Sequence, residues 1–420
     1  MPRIWFKLFF VFFLLWAAGA ARAATLDDIR SRISDHNAEI RKLETQINAY
    51  QKELQTIGQT SRSLQGEIAR LETTRKKLAT DIQVTEQKIA KTDLTIDQLT
   101  LEIGDKDQTL ARRRAATEES LRQWRQLQDL SPLEVILRYD HFSDILTELG
   151  ALTAFQRQLE QDIFLVSKLK DELETTRLAT ETERKNLAAL KIRLADQRQI
   201  AQENQTAKDQ LLKQTKNQEV NYKKLLTETV ARKEAFEKEL TDLESQLRIY
   251  VDLSKLPPAG KGLLRWPLQN IFITQEFGKT VAAKRLYVSG THNGVDFRAS
   301  VGTPVAAASS GLVKGTGDTD LVCRGASYGK WVLIEHPNGL STIYGHLSLI
   351  KAVAGQTVTT GEVIGYSGQT GYSTGPHLHL SVVATQGLRL DTYNFKSCAA
   401  AKITMPLADP SAYLDPLLYL

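Results

Sequence analysis

Three stretches in the last third of the chain decide its reading: His292-Asn-Gly-Val-Asp296, Tyr344-Gly-His346-Leu347 and Gly375-Pro-His377-Leu-His379. The chain holds seven histidines, and four of them sit in these stretches. On an extended strand, residues i, i+2 and i+4 face one side. An extended segment would therefore turn His292 and Asp296 toward one point, with Gly294 between them leaving it unobstructed. His377 and His379 share a face in the same way. Two histidines and an aspartate form a ligand set suited to one zinc ion, with a fourth position left for water. Zinc brings the pKa of such a water toward ~7. If His379 is the third ligand, then His377 and His346 remain free to move protons or to stabilise an oxyanion. The alternative helical signature, His-Glu-x-x-His, is absent. Asp318, Asp320 and Glu335 have no clear partner and read as surface or supporting residues.

Outward from these stretches, short apolar runs separated by turn signals occupy 271–274, 305–308, 311–314, 331–334, 357–358, 363–366 and 379–383. That spacing predicts a mainly antiparallel β domain over 263–420. Residues 253–262 contain Pro257-Pro258 and two glycines and read as a linker.

The composition upstream is different. Between Ala24 and Asp252 there are four glycines and one proline, against twenty glycines from Leu253 onward. Leu26, Ile29, Ile33, His36, Ile40, Leu43, Ile47 and Tyr50 follow 3-4 spacing, and the register continues through Leu64, Leu71, Leu78 and Ile89 to Ile103. A sustained 3.5-residue repeat predicts a coiled coil, here an arm on the order of 110 Å long. The pattern is interrupted near Pro132, resumes around Leu152 and runs to Tyr250, closing on Phe236, Leu240, Leu243 and Leu247. Two arms flanking a tip at about 129–150 predict an antiparallel hairpin over 24–252; a parallel dimer is the second reading. The tip is richer in apolar residues and reads as a helical cap or docking patch. His36 at a seam position and His141 at the tip have no ligand-like neighbours.

The first residues have a basic start (Arg3, Lys7), an apolar run over 8–16 and Ala21-Arg-Ala23 before Ala24, which fits a secretory signal peptide over 1–23. An uncleaved anchor over 4–21 is the competing reading, short for a span and carrying Lys7. No cysteine lies near the cleavage site, which argues against a lipidated N-terminus. The formal charge of +5 falls to +2 without that segment, so the basic footprint of a nucleic-acid binder is absent. In an exported protein, Cys323 and Cys398 are expected to form a disulfide, stabilising the fold by roughly 4 kcal/mol in the chain-entropy model. Two buried thiols are the alternative, and zinc binding by them matches no usual spacing.

The three motifs resemble those of the lysostaphin/LytM family of zinc peptidases. So do the frames around them: Phe277-Gly278, Gly302-Thr-Pro-Val305, Tyr328-Gly329, His336-Pro-Asn-Gly339, Gly355-Gln356 and Gly365-Tyr-Ser-Gly368. The resemblance covers roughly residues 265–383. It implies a two-layer β structure with a groove over one zinc, cleavage of peptide bonds in bacterial peptidoglycan, ligands His292, Asp296 and His379, and catalytic His346 and His377. One departure stands out: the family follows His-x-His with an aromatic and an acidic residue, where this chain has Leu380 and Ser381. The whole arrangement is similar to the EnvC-like murein hydrolase activators. Many of those have lost the zinc residues, switch on a separate amidase and are held by a membrane-embedded, ABC-transporter-like division complex. The resemblance implies export to the periplasm or cell envelope, with peptidoglycan as partner. It leaves two functions open, a zinc endopeptidase or a non-catalytic activator. A free cell-wall peptidase threatens its own cell, so a hairpin folded back over the groove is expected as restraint.

Overall fold

The computed structural model describes residues 26–58, 63–128, 142–247, 251–252, 254, 256–287, 289–399 and 401–420. The signal segment, most of the tip and His141 lie outside them. Four long helices come first: α1 (Leu26–Gly58), α2 (Leu64–Gln128), α3 (Phe142–Thr215) and α4 (Glu219–Gln246). No described helix is long and apolar enough to cross a membrane. The chain divides into two units, 1–44 with 83–194 and 45–82 with 195–420.

The first unit shows antiparallel helix pairing. Lys88 of α2 reaches Glu44 of α1 at 3.2 Å, and Arg177 of α3 reaches Asp107 of α2 at 3.1 Å. His36 of α1 meets the Gln87 side chain, so its seam position holds a polar contact. The second unit continues both pairings, Thr73 to Glu53 at 3.1 Å and Lys208 to Glu72 at 2.8 Å.

The expected single first arm is therefore two helices packed back on each other. α1 ends at Gly58, a poor helix former, and the Ser63 hydroxyl accepts from the Gly66 amide at 3.1 Å, capping α2. The apolar 3-4 spacing persists across this break, so periodicity alone could not reveal it. The second arm is also interrupted. Lys216 and Asn217 take φ of 50° and 54°, the left-handed conformation that ends helices, and Asn221 donates to the Thr215 carbonyl at 2.9 Å.

A ten-stranded sheet follows among the described residues, built from β1 (Ile273–Gln275), β2 (Val295–Arg298), β3 (Pro304–Ala306), β4 (Gly311–Asp318), β5 (Lys330–Glu335), β6 (Leu340–Ile350), β7 (Thr357–Val358), β8 (Val363–Ser367), β9 (His377–Ala384) and β12 (Tyr413–Leu414); the order is β1-β2-β9-β6-β5-β4-β7, with β3, β8 and β12 attached at its sides. Its centre is β2 (Val295–Arg298), β9 (His377–Ala384), β6 (Leu340–Ile350) and β5 (Lys330–Glu335), all antiparallel. The central strands are buried on both faces, which explains their nearly continuous apolar runs. Val332, Ile334, Tyr344, Leu378, Leu380 and Val382 enter one core. The alternate residues Trp331, Leu333, Ile343 and Val383 enter a second core against the hairpin β10 (Leu388–Phe395) and β11 (Ala401–Ala408). Cys323 and Cys398 form a disulfide that ties this hairpin to the turn before β5.

The second core also takes Phe236, Leu240, Leu243 and Leu247. The 4-3-4 stripe at the end of the helical region thus packs on the β domain, with Phe236 stacked on Phe395 at 4.2 Å. The Glu239 carboxylate accepts from the Lys396 and Ser397 amides at 2.8 and 3.0 Å. On another side of the domain, Leu78 and Ile200 pack with Leu349 and Tyr366. There Asp196 takes Lys351 at 2.8 Å and the Tyr366 hydroxyl at 2.9 Å.

Candidate metal centre

Register brings the dispersed motifs together. In β2 and β9, Asp296 lies opposite His379, and in β6 and β9, Gly345 lies opposite His379. His292 precedes β2 and is held by a bridge to Gly278. His292 Nε2, Asp296 Oδ1 and His379 Nδ1 form a triangle with edges of 3.2, 2.9 and 3.1 Å. All three side chains are buried, and the group is the one set of three or more potential metal-ligating residues found among the described residues. Tetrahedral zinc with bonds near 2.05 Å separates its ligands by about 3.3 Å, so the triangle fits such an ion.

The opposite ring nitrogens support the same conclusion. His292 Nδ1 donates to the Glu276 carbonyl at 3.0 Å, and His379 Nε2 lies 2.9 Å from Ser381 Oγ. Protons placed there leave a lone pair on each inward nitrogen. Two lone pairs and a carboxylate facing one another call for a cation. Burial would raise the Asp296 carboxyl, but the imidazoles of His292 and His379 hold it well below the usual carboxylate range.

His346 and His377 stand beside the triangle, their rings 4.6 Å apart. His346 Nδ1 donates to the Thr370 carbonyl at 2.8 Å and His377 Nδ1 to the Gly375 carbonyl at 2.8 Å. His377 Nε2 is 3.6 Å from Asp296 Oδ1. Burial, with the charges of His377 and His379, keeps His346 well below the ordinary histidine pKa, hence neutral. His346 has φ of 59°, at a point where the β5–β6 register shifts. A left-handed non-glycine residue is held only when its surroundings determine it; here the Tyr328 carbonyl takes the His346 amide at 2.7 Å.

Gly294 is required by a close approach. A Cβ there would meet the Leu380 carbonyl at 2.5 Å and the His379 ring at 2.7 Å. Asp320, read from sequence as lacking a partner, accepts from the Gly371 amide at 2.8 Å and so braces the loop that carries Thr370. Asp318 caps the same turn by accepting from the Asp320 amide, and Glu335 pairs with Lys314 at 3.0 Å.

Sequence reading missed the aromatic wall. Tyr287 stacks on His292 at 5.3 Å and 5°, and lies 5.8 Å from Tyr372. A cavity of about 350 Å³ opens over the site, lined by Tyr287, Tyr372, His346 and His379 on one side and by Lys233, Phe236 and Glu237 of α4 on the other. Lys233 lies over the Tyr372 ring at 5.2 Å; burial lowers its pKa, against the pull of Asp320. Tyr287 and Tyr372 carried no metal or proton-transfer pattern that would have marked them.

Residues 290–391 match the model of peptidase family M23. Together with the motifs, this makes the C-terminal region an M23 domain of the lysostaphin/LytM type. The chain is 41% identical over 124 residues to an uncharacterized metalloprotease of Haemophilus influenzae, covering 29% of this chain and 24% of that protein. It is 43% identical over 93 residues to the peptidoglycan DD-endopeptidase ShyA of Vibrio cholerae, covering 22% and 20%. Lysostaphin of Staphylococcus simulans, a solved structure, aligns at 28% identity and a TM-score of 0.25, covering 35% of this chain and 48% of that one. The chain thus spans about a quarter or less of the length of these two curated relatives.

Proposed function

We propose that this protein is an exported zinc endopeptidase that hydrolyses peptide cross-links of bacterial peptidoglycan. The observation that carries the reading is the convergence of the His292–Asp296–His379 triangle with the imidazoles of His346 and His377, each held to a carbonyl through Nδ1. His292, Asp296 and His379 would hold the ion. Zinc so held supplies Lewis acidity and a nucleophilic water at neutral pH. His346 and His377 take up the proton of the attacking water at Nε2 and return it to the leaving amine. The aromatic wall of Tyr287 and Tyr372 shields the reacting carbonyl from bulk water. A relative named as a peptidoglycan DD-endopeptidase supports the substrate class. The basic-then-apolar start of the chain and the Cys323–Cys398 disulfide support export.

Release of soluble fragments from purified peptidoglycan is expected to stop with a chelator. His346→Ala should lower it by about 10²–10⁴-fold while zinc content stays near one per chain. Turnover that survives both changes would refute the enzyme.

The second reading, a non-catalytic activator of a separate amidase, is favoured by the placement of α4 in the wall of the groove. A binding-only groove has no use for two imidazoles beside the triangle, so the catalytic reading stands first. The same placement supports restraint: docked α4 narrows the approach to the site, and its displacement by a membrane-embedded division complex acting on the helices would open it.

A further inference from the structure

Strand register sets Arg298 beside His377. In β2 and β9 the pairs are Asp296 with His379 and Arg298 with His377, and residues paired across an antiparallel ladder stand on one face. The alternating residues Val295, Phe297, Leu378 and Leu380 enter the first core. Asp296, Arg298, His377 and His379 therefore share the opposite face, the one that carries the metal triangle. Further along β9, Val383 packs in the second core with Phe236 of α4, so the face is covered at that end. At the other end Arg298 is exposed, and a Cβ added to nearby Gly375 would meet no atom within 4 Å.

The guanidinium is held in place without an anion. Its central carbon lies 4.0 Å from the centre of the Phe272 ring. The Arg298 amide donates to the Phe272 carbonyl at 2.9 Å, which fixes the two residues side by side. A guanidinium stacked on a ring keeps its N–H edge for a planar partner. Among the described residues no carboxylate pairs with Arg298. A planar fork of donors matches a carboxylate through two parallel hydrogen bonds. Arg298 stands two residues from Asp296, about 7 Å along the strand.

We propose that Arg298 is a specificity-determining residue of the groove: it binds a free carboxylate of the peptide substrate and so sets the scissile carbonyl against His377 and the metal centre. The substrate class is a peptide with a carboxylate within about two residues of the bond that is cut. Phe272 fixes the plane of the fork. The proposal rests on the endopeptidase reading of the site.

The test compares the full chain with its Arg298→Gln and Arg298→Lys variants on two substrates. One is the cross-linked peptides freed from purified peptidoglycan by a muramidase. The other is the same peptides with their carboxyl groups converted to amides by carbodiimide and ammonia. Rates are taken below saturation and expressed per bound zinc, so that a damaged metal centre does not imitate a lost substrate contact. Amidation is expected to lower wild-type cleavage about 10–100-fold, the loss of one charge-assisted pair. Arg298→Gln should lose a similar factor on the native peptides and nothing further on the amidated ones, because the two changes remove the same contact. Arg298→Lys keeps the charge without the fork and should recover part of the loss. Three results would each overturn the proposal: wild type equally fast on both substrates, Arg298→Gln equal to wild type on the native peptides, or Arg298→Gln as sensitive to amidation as wild type. A wild-type chain that cleaves neither substrate would overturn the endopeptidase reading and the proposal with it. That failure is read from the wild-type arm alone, whereas the other three leave the endopeptidase standing.

Discussion

Gly294 shows how little room the centre leaves. Its Cβ position is occupied by the Leu380 carbonyl and the His379 ring, so Gly294→Ala must push β9 or rotate His379. The expected outcome is a loss of zinc affinity of at least about tenfold, equivalent to 1.4 kcal/mol, measured by chelator competition with the far-ultraviolet circular dichroism unchanged. Affinity equal to wild type would mean that His379 is not a ligand. This residue was legible in the sequence as the open position between His292 and Asp296, as were all five motif side chains, because strand periodicity is local. Tyr287 was not, since an isolated tyrosine gains its meaning only from the ring it stacks on. Ser381 was legible only as a departure from the family pattern, and its contact with His379 Nε2 was not.

Helix α4 shows what an apolar stripe leaves open. Phe236, Leu240 and Leu243 keep coiled-coil spacing, yet they cover the β domain. A stripe specifies that something apolar must cover it, and does not name the cover. The same helix buries Glu244, whose pKa is pushed up to about 7 by burial and by nearby Asp409, against hydrogen bonds from Tyr413 and Ala408. A carboxyl raised in the folded state holds its proton more tightly there than in the unfolded chain. Its contribution to stability is therefore complete below about pH 4.5 and is lost as pH rises through about 7. The loss is on the order of 3 kcal/mol at most. Thermal midpoints of metal-free protein between pH 5 and 8 should fall more steeply in wild type than in Glu244→Gln, and equal slopes would place the carboxyl in contact with water.

For the whole molecule, α4 narrows the groove over the site. Phe236→Ala removes the ring stacked on Phe395 and loosens the docked helix by about 3 kcal/mol or more. With zinc in excess, peptidoglycan release is expected to rise several-fold, and unchanged release would remove the restraint.

The sequence by itself marked the His292, Asp296 and His379 cluster that could hold a metal and the two histidines beside it, the division into a helical region and a mainly antiparallel β domain, and the pairing of Cys323 with Cys398. Each depends on residue type at short spacing, or on a composition shift long enough to average out tertiary detail. Only the tertiary structure decided where the helices stop, because Ser63 capping and the Lys216–Asn217 turn interrupt a repeat that the apolar residues alone continue. It also decided that α4 covers the β domain and that Tyr287 stacks on His292. No local period encodes either contact.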